Sequence, residues 1–336
     1  NDEGGINGRK VTFLSYDDAY SPPKALEQTR KLVEQDGVLA IFATGATSVN
    51  AAIQPYLNDR KVPHLFITSG GGRFADPKNY PWTIGWQPTF EIEGRAYTKH
   101  ALSTKPNAKI GILRQNDDFG KEFLKGIESV IKETGKGEIV DVTYEPTDPT
   151  VDTQIIKLKS AGADVFFNVT TPKFTVQAIK KAADIGWRPM HFIYSGSGSV
   201  SQVFKPAGFD NSVGIMTGAW LRDPSDPAQQ QTEQYKEYAA WVKKYLPEGR
   251  PDDLFILWVY CQTQTMEYVL HQAGNDLSRE NLLKQATSIR GLKPRMMLPK
   301  IEIETSPTDY RPIESIQMQR FDGAKWELFG GIVKGR

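Results

Sequence analysis

GVLAIFATGATSVNAAIQPYLNDRKVPHLFITSGGG, residues 37–72, is the stretch whose reading decides the fold. An apolar run, Val38–Phe42, ends in a loop of small and hydroxyl residues, Ala43–Ser48. A helix-length segment follows, then a second apolar run, Leu65–Ile67, and a second small-residue loop, Thr68–Gly72. Two short apolar runs around one helix make a βα unit whose return strand lies parallel to the first. In a parallel sheet both loops leave the carboxyl ends of their strands and share one edge. Thr47 or Ser48 is expected to cap the helix, whose N-terminus favours an anion. Bare backbone and hydroxyls on one edge form a cradle for a carboxylate or a similar small polar head. Taken singly, such a loop is no more than a turn; here the pattern recurs.

Before this stretch, Val11–Ser15 reads as a strand and Pro23–Gln35 as a helix. After it, Trp82–Trp86 alternates like a strand and Phe90–Leu102 has helical spacing. At Lys109 the pattern begins again. Strands are expected at Ile110–Leu113, Ile139–Tyr144, Val165–Val169 and Phe192–Tyr194, with helices at Lys121–Lys132, Thr153–Ala161 and Phe174–Ile185. Alternation at this spacing predicts doubly wound α/β architecture. From Pro224 the texture changes to three helices, Ala228–Tyr245, Leu254–Gln272 and Ser278–Ser288, the last with Ser278 as its N-cap. A short strand, Lys300–Glu304, precedes a hairpin of Ile316–Phe321 and Trp326–Phe329 that turns at Asp322-Gly323.

The chain has 336 residues, enough for two domains, and a formal net charge of +1 with both signs mixed throughout. No basic stripe points to nucleic acid. The apolar runs fall far short of a membrane span, and Asn1–Lys10 is polar and glycine-rich, without the apolar stretch of a leader. The single cysteine, Cys261, rules out an intrachain disulfide and sits in a helix-like segment as a packed core residue. Enzyme chemistry is thinly represented. His64, His100, His191 and His271 are scattered, with none at metal-ligand spacing. Walker A and G-x-S-x-G patterns are absent, and Ser195–Ser199 (SGSGS) lacks the downstream acidic residue of a dinucleotide fingerprint. Asp117 and Asp118 stand near Arg114, so ion pairing explains them more simply than a metal. No catalytic residue, metal or cofactor is expected.

Five loops stand out by composition: Ala43–Ser48, Thr68–Gly72, Arg114–Phe119, Thr170–Pro172 and Ser195–Ser199. In a two-lobed α/β protein they converge on one cleft. Backbone N–H groups and neutral hydroxyls hold a polar ligand without supplying a general base, which favours binding over turnover.

Here a resemblance enters. GGINGRK (Gly4–Lys10), DDAY (Asp17–Tyr20), KVPHLFITSGGG (Lys61–Gly72), PWTIGWQP (Pro81–Pro88), QNDDFGKEF (Gln115–Phe123) and TSPTDYRPI (Thr305–Ile313) span nearly the whole chain. Together the sequence resembles the periplasmic substrate-binding proteins of branched-chain amino acid type ABC transporters, the type I periplasmic binding proteins. The resemblance implies two doubly wound parallel-sheet lobes joined by three crossovers, near Gln87–Phe90, Leu221–Pro224 and Glu304–Arg311. It divides the chain into lobe 1, residues 1–88 plus 223–304, and lobe 2, residues 89–222 plus 305–336. Thr47, Ser48, Ser69, Gly70 and Gly71 would face the ligand's carboxylate, and Phe119, Thr170, Thr171, Ser195 and Ser197 would close from the other lobe. Implied partners are a small organic carboxylate and the ABC permease subunits, the membrane complex being touched only peripherally, from a periplasmic location. A ligand-sensing domain of the same fold is the alternative.

Two departures from the family pattern matter. Leucine-binding members carry an acidic residue in the loop matching Ser195–Ser199, where this chain has only Ser and Gly. A buried ammonium without a carboxylate partner is costly, so the expected ligand is an acid without an α-amino group, an aromatic one. In addition, only Asn1–Glu3 precedes GGINGRK, where the family has a first βα unit. Without such a unit of ~30 residues, the apolar faces of Val11–Leu14 and Val38–Phe42 are expected to be uncovered. The expectation is that the unit exists on the full protein or is supplied by another chain.

Overall fold

The computed structural model describes residues 1–2 and 4–335. The expected lobe ranges also take in Glu3 and Arg336, which lie outside the described residues. By its contacts the chain divides into two compact units: Asn1–Thr89, Val259–Pro294 and Ile301–Glu314 form the first, and Phe90–Trp258, Arg295–Lys300 and Ser315–Arg336 the second. The first change of unit falls within Gln87–Phe90. No change falls at Leu221–Pro224, because Leu221 bridges Met297 and Asp223 accepts the backbone N–H of Trp326, all in the second unit. None falls within Glu304–Arg311 either. There Glu304 N–H bonds the carbonyl of Pro312, and the Tyr310 hydroxyl bonds that of Pro81, all in the first unit.

The first unit holds three parallel strands in the order β1 (Ile41–Phe42), β2 (His64–Ile67), β3 (Thr83–Gly85). The helix Thr47–Asp59 is the crossover from β1 to β2. Its Val49, Ile53 and Leu57, four residues apart, pack on Ala25, Ile41 and Val62. Burying each such aliphatic side chain stabilises by roughly 1.5–3 kcal/mol. The β1 strand is shorter than the apolar run suggested, since the Arg279 guanidinium takes the carbonyls of Val38 and Leu39. These residues are half-buried, not uncovered as expected. Val11–Ser15 is not a strand. Among the described residues no neighbouring strand supplies a ladder, and the Asn1 side chain binds the N–H and carbonyl of Val11 instead. Val11, Phe13 and Leu14 are 44%, 70% and 40% exposed. Lys300–Glu304 forms no strand either, only an isolated bridge of Ile303 to Leu292. Ser278 caps the helix Arg279–Ala286 as its sequence indicates, and Cys261 is fully buried.

The second unit carries seven strands: β4 (Lys109–Gln115), β5 (Glu138–Tyr144), β6 (Val165–Val169), β7 (Met190–Ile193), β8 (Met216–Ala219), β9 (Ser315–Phe321) and β10 (Trp326–Lys334). Their order is β10-β9-β8-β7-β6-β4-β5. The strands β4 to β8 run parallel and the β9–β10 hairpin closes one edge antiparallel. The helices Phe90–Thr104 and Asp118–Thr134 approach closely through two glycines. A Cβ on Gly94 would stand 2.6 Å from the Phe123 carbonyl oxygen, and one on Gly126 2.6 Å from that of Glu91. The latter helix starts earlier than its apolar spacing suggests because the Asp117 carboxylate caps Gly120 N–H. The expected helix Ala228–Tyr245 is two, Pro227–Gln230 and Glu233–Tyr245, capped separately by Asp226 and Thr232.

Candidate functional site

In the first unit the candidate residues stand at the carboxyl ends of β1 and β2. Thr47 and Ser48 open the helix Thr47–Asp59, but neither caps it. The N-cap position is Ala46, in the left-handed region at φ +67°, and it has no side chain that could cap. The Thr47 hydroxyl pairs with that of Ser69 at 2.8 Å, joining the two loops, and the Ser69 hydroxyl also accepts Gly71 N–H. Thr47, Ser69, Gly70 and Gly71 are buried and Ser48 is half-buried. Beneath them Asn50 organises the backbone. Its carboxamide donates to the carbonyls of Thr44, Gly45 and Ala46 at 3.1, 2.8 and 2.6 Å, holding Ala43 and Ala46 at positive φ. Its oxygen accepts from the Thr44 hydroxyl and faces His64 Nε2 at 2.9 Å. Since that oxygen can only accept, Nε2 carries the hydrogen, and burial holds the imidazole neutral with its pKa down at about 3.

The loop Thr68–Gly71 is set by an irregularity in β2, where Phe66 takes φ +54° and the register with β3 shifts. Gln262 replaces the lost ladder partner, donating to the Phe66 carbonyl and to the Thr68 hydroxyl.

In the second unit the candidates gather at the carboxyl ends of β4, β6 and β7. Phe119 is buried in an aromatic cluster, its ring 4.7 Å from that of Phe90 and 4.8 Å from that of Tyr194. Thr170 and Ser197 are fully buried and turned inward. The Thr170 hydroxyl bonds Asn168 and Thr175, and the Ser197 hydroxyl donates to the Thr170 carbonyl. They shape the loops and have no hydroxyl hydrogen free for a ligand. Thr171 is half-buried, its N–H on the Tyr144 hydroxyl. Ser195 opens a tight 3₁₀ turn, Ser195–Ser197, that depends on Gly196: a Cβ there would lie 2.4 Å from the Tyr194 ring.

Under Ser195 lies a carboxylate. Glu93, fully buried on the helix Phe90–Thr104, accepts the Ser195 hydroxyl at 2.7 Å, the Ser195 N–H at 3.1 Å and the Tyr97 hydroxyl at 2.7 Å. Burial pushes its carboxyl up to about 7, against the pull of these donors. Tyr97 in turn accepts Gly218 N–H on β8 at 2.8 Å, so one network ties helix, turn and strand. Beside Ser195 a pocket lined by Trp220, Arg222, Asp223, Trp258 and Trp326 among others has room for water. The buried Trp220 indole N–H has no hydrogen-bond partner among the described residues.

Charges on these loops are engaged elsewhere. The Arg114 guanidinium reaches across to Asp141 on β5, at 2.9 and 2.7 Å. Gln115 donates to Asp117, and Asp118 lies 3.9 Å from Lys121. No group of three or more His, Cys, Asp or Glu side chains among the described residues could hold a metal ion. No helix among them is long and apolar enough to cross a membrane.

Residues 1–325 match a family model described as periplasmic binding protein. The chain belongs to the periplasmic binding protein family. Among curated relatives, a Leu/Ile/Val-binding protein homolog 7 from Brucella suis is 22% identical over 59% of this chain and 51% of its own length. The chain thus spans about half the length of the first curated relatives it matches. Among solved structures, a branched-chain amino acid ABC transporter protein from Thermus thermophilus with bound valine superposes with a TM-score of 0.85 at 14% identity, covering 99% of this chain and 88% of its own. A solute-binding protein from Rhodopseudomonas palustris in complex with 3,4-dihydroxybenzoic acid gives 0.81 at 17% identity, over 99% and 89%. At such identities the likeness is one of fold, the type I periplasmic binding protein fold.

In this binding protein the sequence reading missed Asn50, His64, Glu93 and Tyr97. Glu93 left a signal. Phe90, Glu93, Tyr97 and Ala101 recur at three- and four-residue spacing along the buried face of one helix, so the lone carboxylate there required a buried partner.

Proposed function

We propose that this chain is the solute-binding component of an ABC importer, acting outside the cytoplasm, in the periplasm. It takes a small carboxylate, an aromatic acid rather than a branched-chain amino acid, and delivers it to the permease without changing it. The observation that carries this reading is the make-up of the strand-end loops in each unit. One unit offers the Thr47–Ser69 hydroxyl pair, Ser48 and the backbone of Gly70 and Gly71; the other offers Ser195, Thr171 and the rings about Phe119. A carboxylate is well received by hydroxyls and backbone N–H groups at a helix start. A ring is well received by Phe119, Phe90 and Tyr194. Neither set holds a poised nucleophile and base, in keeping with capture rather than turnover.

Capture of the ligand at strand-end loops followed by hinge closure is the mechanism of this reading. Relatives bind valine or 3,4-dihydroxybenzoate, by their descriptions, so both ligand classes belong in the test. Titration calorimetry with benzoate, 3,4-dihydroxybenzoate, leucine and valine, with scattering on the same samples, checks the reading. One-to-one binding of an aromatic acid with a fall in radius of gyration supports it. Micromolar leucine binding with no response to aromatic acids rejects it.

A further inference from the structure

We infer that Glu93 fixes the hydrogen-bonding polarity of Ser195, so that the Ser195 hydroxyl meets the ligand as an acceptor and selects a ligand that brings a hydrogen-bond donor. This rests on the proposed ligand site and deepens it. A serine hydroxyl has one hydrogen and two lone pairs. The hydrogen of Ser195 is committed to Glu93 Oε1 at 2.7 Å. The Ser195 N–H is committed to the other oxygen of the same carboxylate at 3.1 Å. An ionised carboxylate only accepts, so it cannot release either donor. What Ser195 retains for a ligand is lone pairs. Tyr97 holds the carboxylate in place, its hydroxyl donating to Oε2 and accepting Gly218 N–H, so the Glu93 rotamer is fixed from two directions.

The absence of an acid in the Ser195–Ser199 turn therefore does not leave this side of the site without negative charge. Glu93 supplies it one layer down, through the oxygen of Ser195. A ligand carboxylate is repelled from this position. The ligand group opposite Ser195 is a hydroxyl or an ammonium, and both chemistries satisfy the same lone pairs. Glu93 is a positioning residue here, since it acts through Ser195.

The test is selectivity between ligand pairs that differ in the donor, measured by calorimetry on the full chain at pH 8. One pair is 3,4-dihydroxybenzoate and 3,4-dimethoxybenzoate; the other is L-phenylalanine and 3-phenylpropionate. In at least one pair the donor-bearing member binds about tenfold or more tightly, and the pair identifies the source as hydroxyl or ammonium. Ser195→Ala brings the two members of that pair within about twofold of each other by removing the acceptor. Glu93→Gln, whose carboxamide offers Ser195 a donor as well as an acceptor, cuts the preference; a purely structural role would weaken both members by the same factor. Binding without preference in either pair, or a preference that Ser195→Ala leaves intact, overturns the assignment while the receptor reading stands. Failure of all four compounds to bind, and of benzoate, leucine and valine with them, overturns the receptor reading itself.

Discussion

Replacing Glu93 by Gln converts a buried carboxyl into a measurement of its own environment. The carboxyl is raised from 4.5 to about 7, because burial disfavours the charge more than Ser195 and Tyr97 favour it. Between those two values the unfolded chain has released a proton that the folded chain still holds. Stability from this group is therefore complete below the unfolded value and is lost as pH rises through the folded one. The shift corresponds to about 3 kcal/mol in all, of which about 2–3 kcal/mol falls between pH 5 and 8. Tyr97, the titratable group facing Glu93, stays protonated throughout, since burial and the Glu93 charge raise it well above 10.0. His64 and His191 act in the opposite sense. Both are held down at about 3 by burial, so stability tied to them is present above the ordinary imidazole range and lost as pH falls. Subtracting the variant's profile from that of the natural chain removes these contributions and isolates Glu93. Urea unfolding of both proteins from pH 5 to 8 is the assay. The natural chain should lose about 2–3 kcal/mol relative to Glu93→Gln over that range. Parallel profiles would show that the carboxyl titrates normally, and the buried network around Ser195 would be wrong.

Gly126→Ala should destabilise by about 1–3 kcal/mol in denaturant unfolding, because the added methyl meets the Glu91 carbonyl of a packed helix backbone, which has no rotamer by which to yield. Asn50→Ala frees three loop carbonyls and the His64 contact. It should cost about 1–3 kcal/mol in the same assay and weaken carboxylate binding in calorimetry; unchanged binding would place the carboxylate elsewhere. Phe119→Leu keeps the apolar volume but removes a ring from the cluster with Phe90 and Tyr194. It should weaken an aromatic acid by about threefold to tenfold and leave an aliphatic acid within about twofold.

The βα unit of residues 37–72 was legible because each level agreed: apolar runs of strand length, a helix with four-residue spacing, and loops of small residues between them. The hairpin at Asp322-Gly323 was legible for the same reason, its turn residues and strands agreeing. Val11–Ser15 was misread because strand propensity is a local property and pairing is not; five strand-like residues without a neighbour stay unpaired. The shortened β1 was hidden by Arg279, about 240 positions away in sequence, whose guanidinium takes the carbonyls that a ladder would use. The candidate site divided in a similar way. Loop composition led to Thr47, Ser69, Phe119, Thr170, Ser195 and Ser197 together, but could not tell which hydroxyls are turned inward, as those of Thr170 and Ser197 are. Which way a hydroxyl points is set by its partners, here Asn168, Thr175 and the Thr170 carbonyl, and none of these is adjacent by composition. Glu93 was readable in principle, as a carboxylate on a buried helix face.

Quantitative recovery of ligand after binding bears most directly on the central claim. An aromatic carboxylic acid is titrated into the protein in a calorimeter, the complex is denatured, and the released compound is identified by mass spectrometry. The account predicts a single saturable site per chain and the same acid returned chemically unchanged. No heat with any carboxylate tried, or an acid that returns as a different compound, contradicts it.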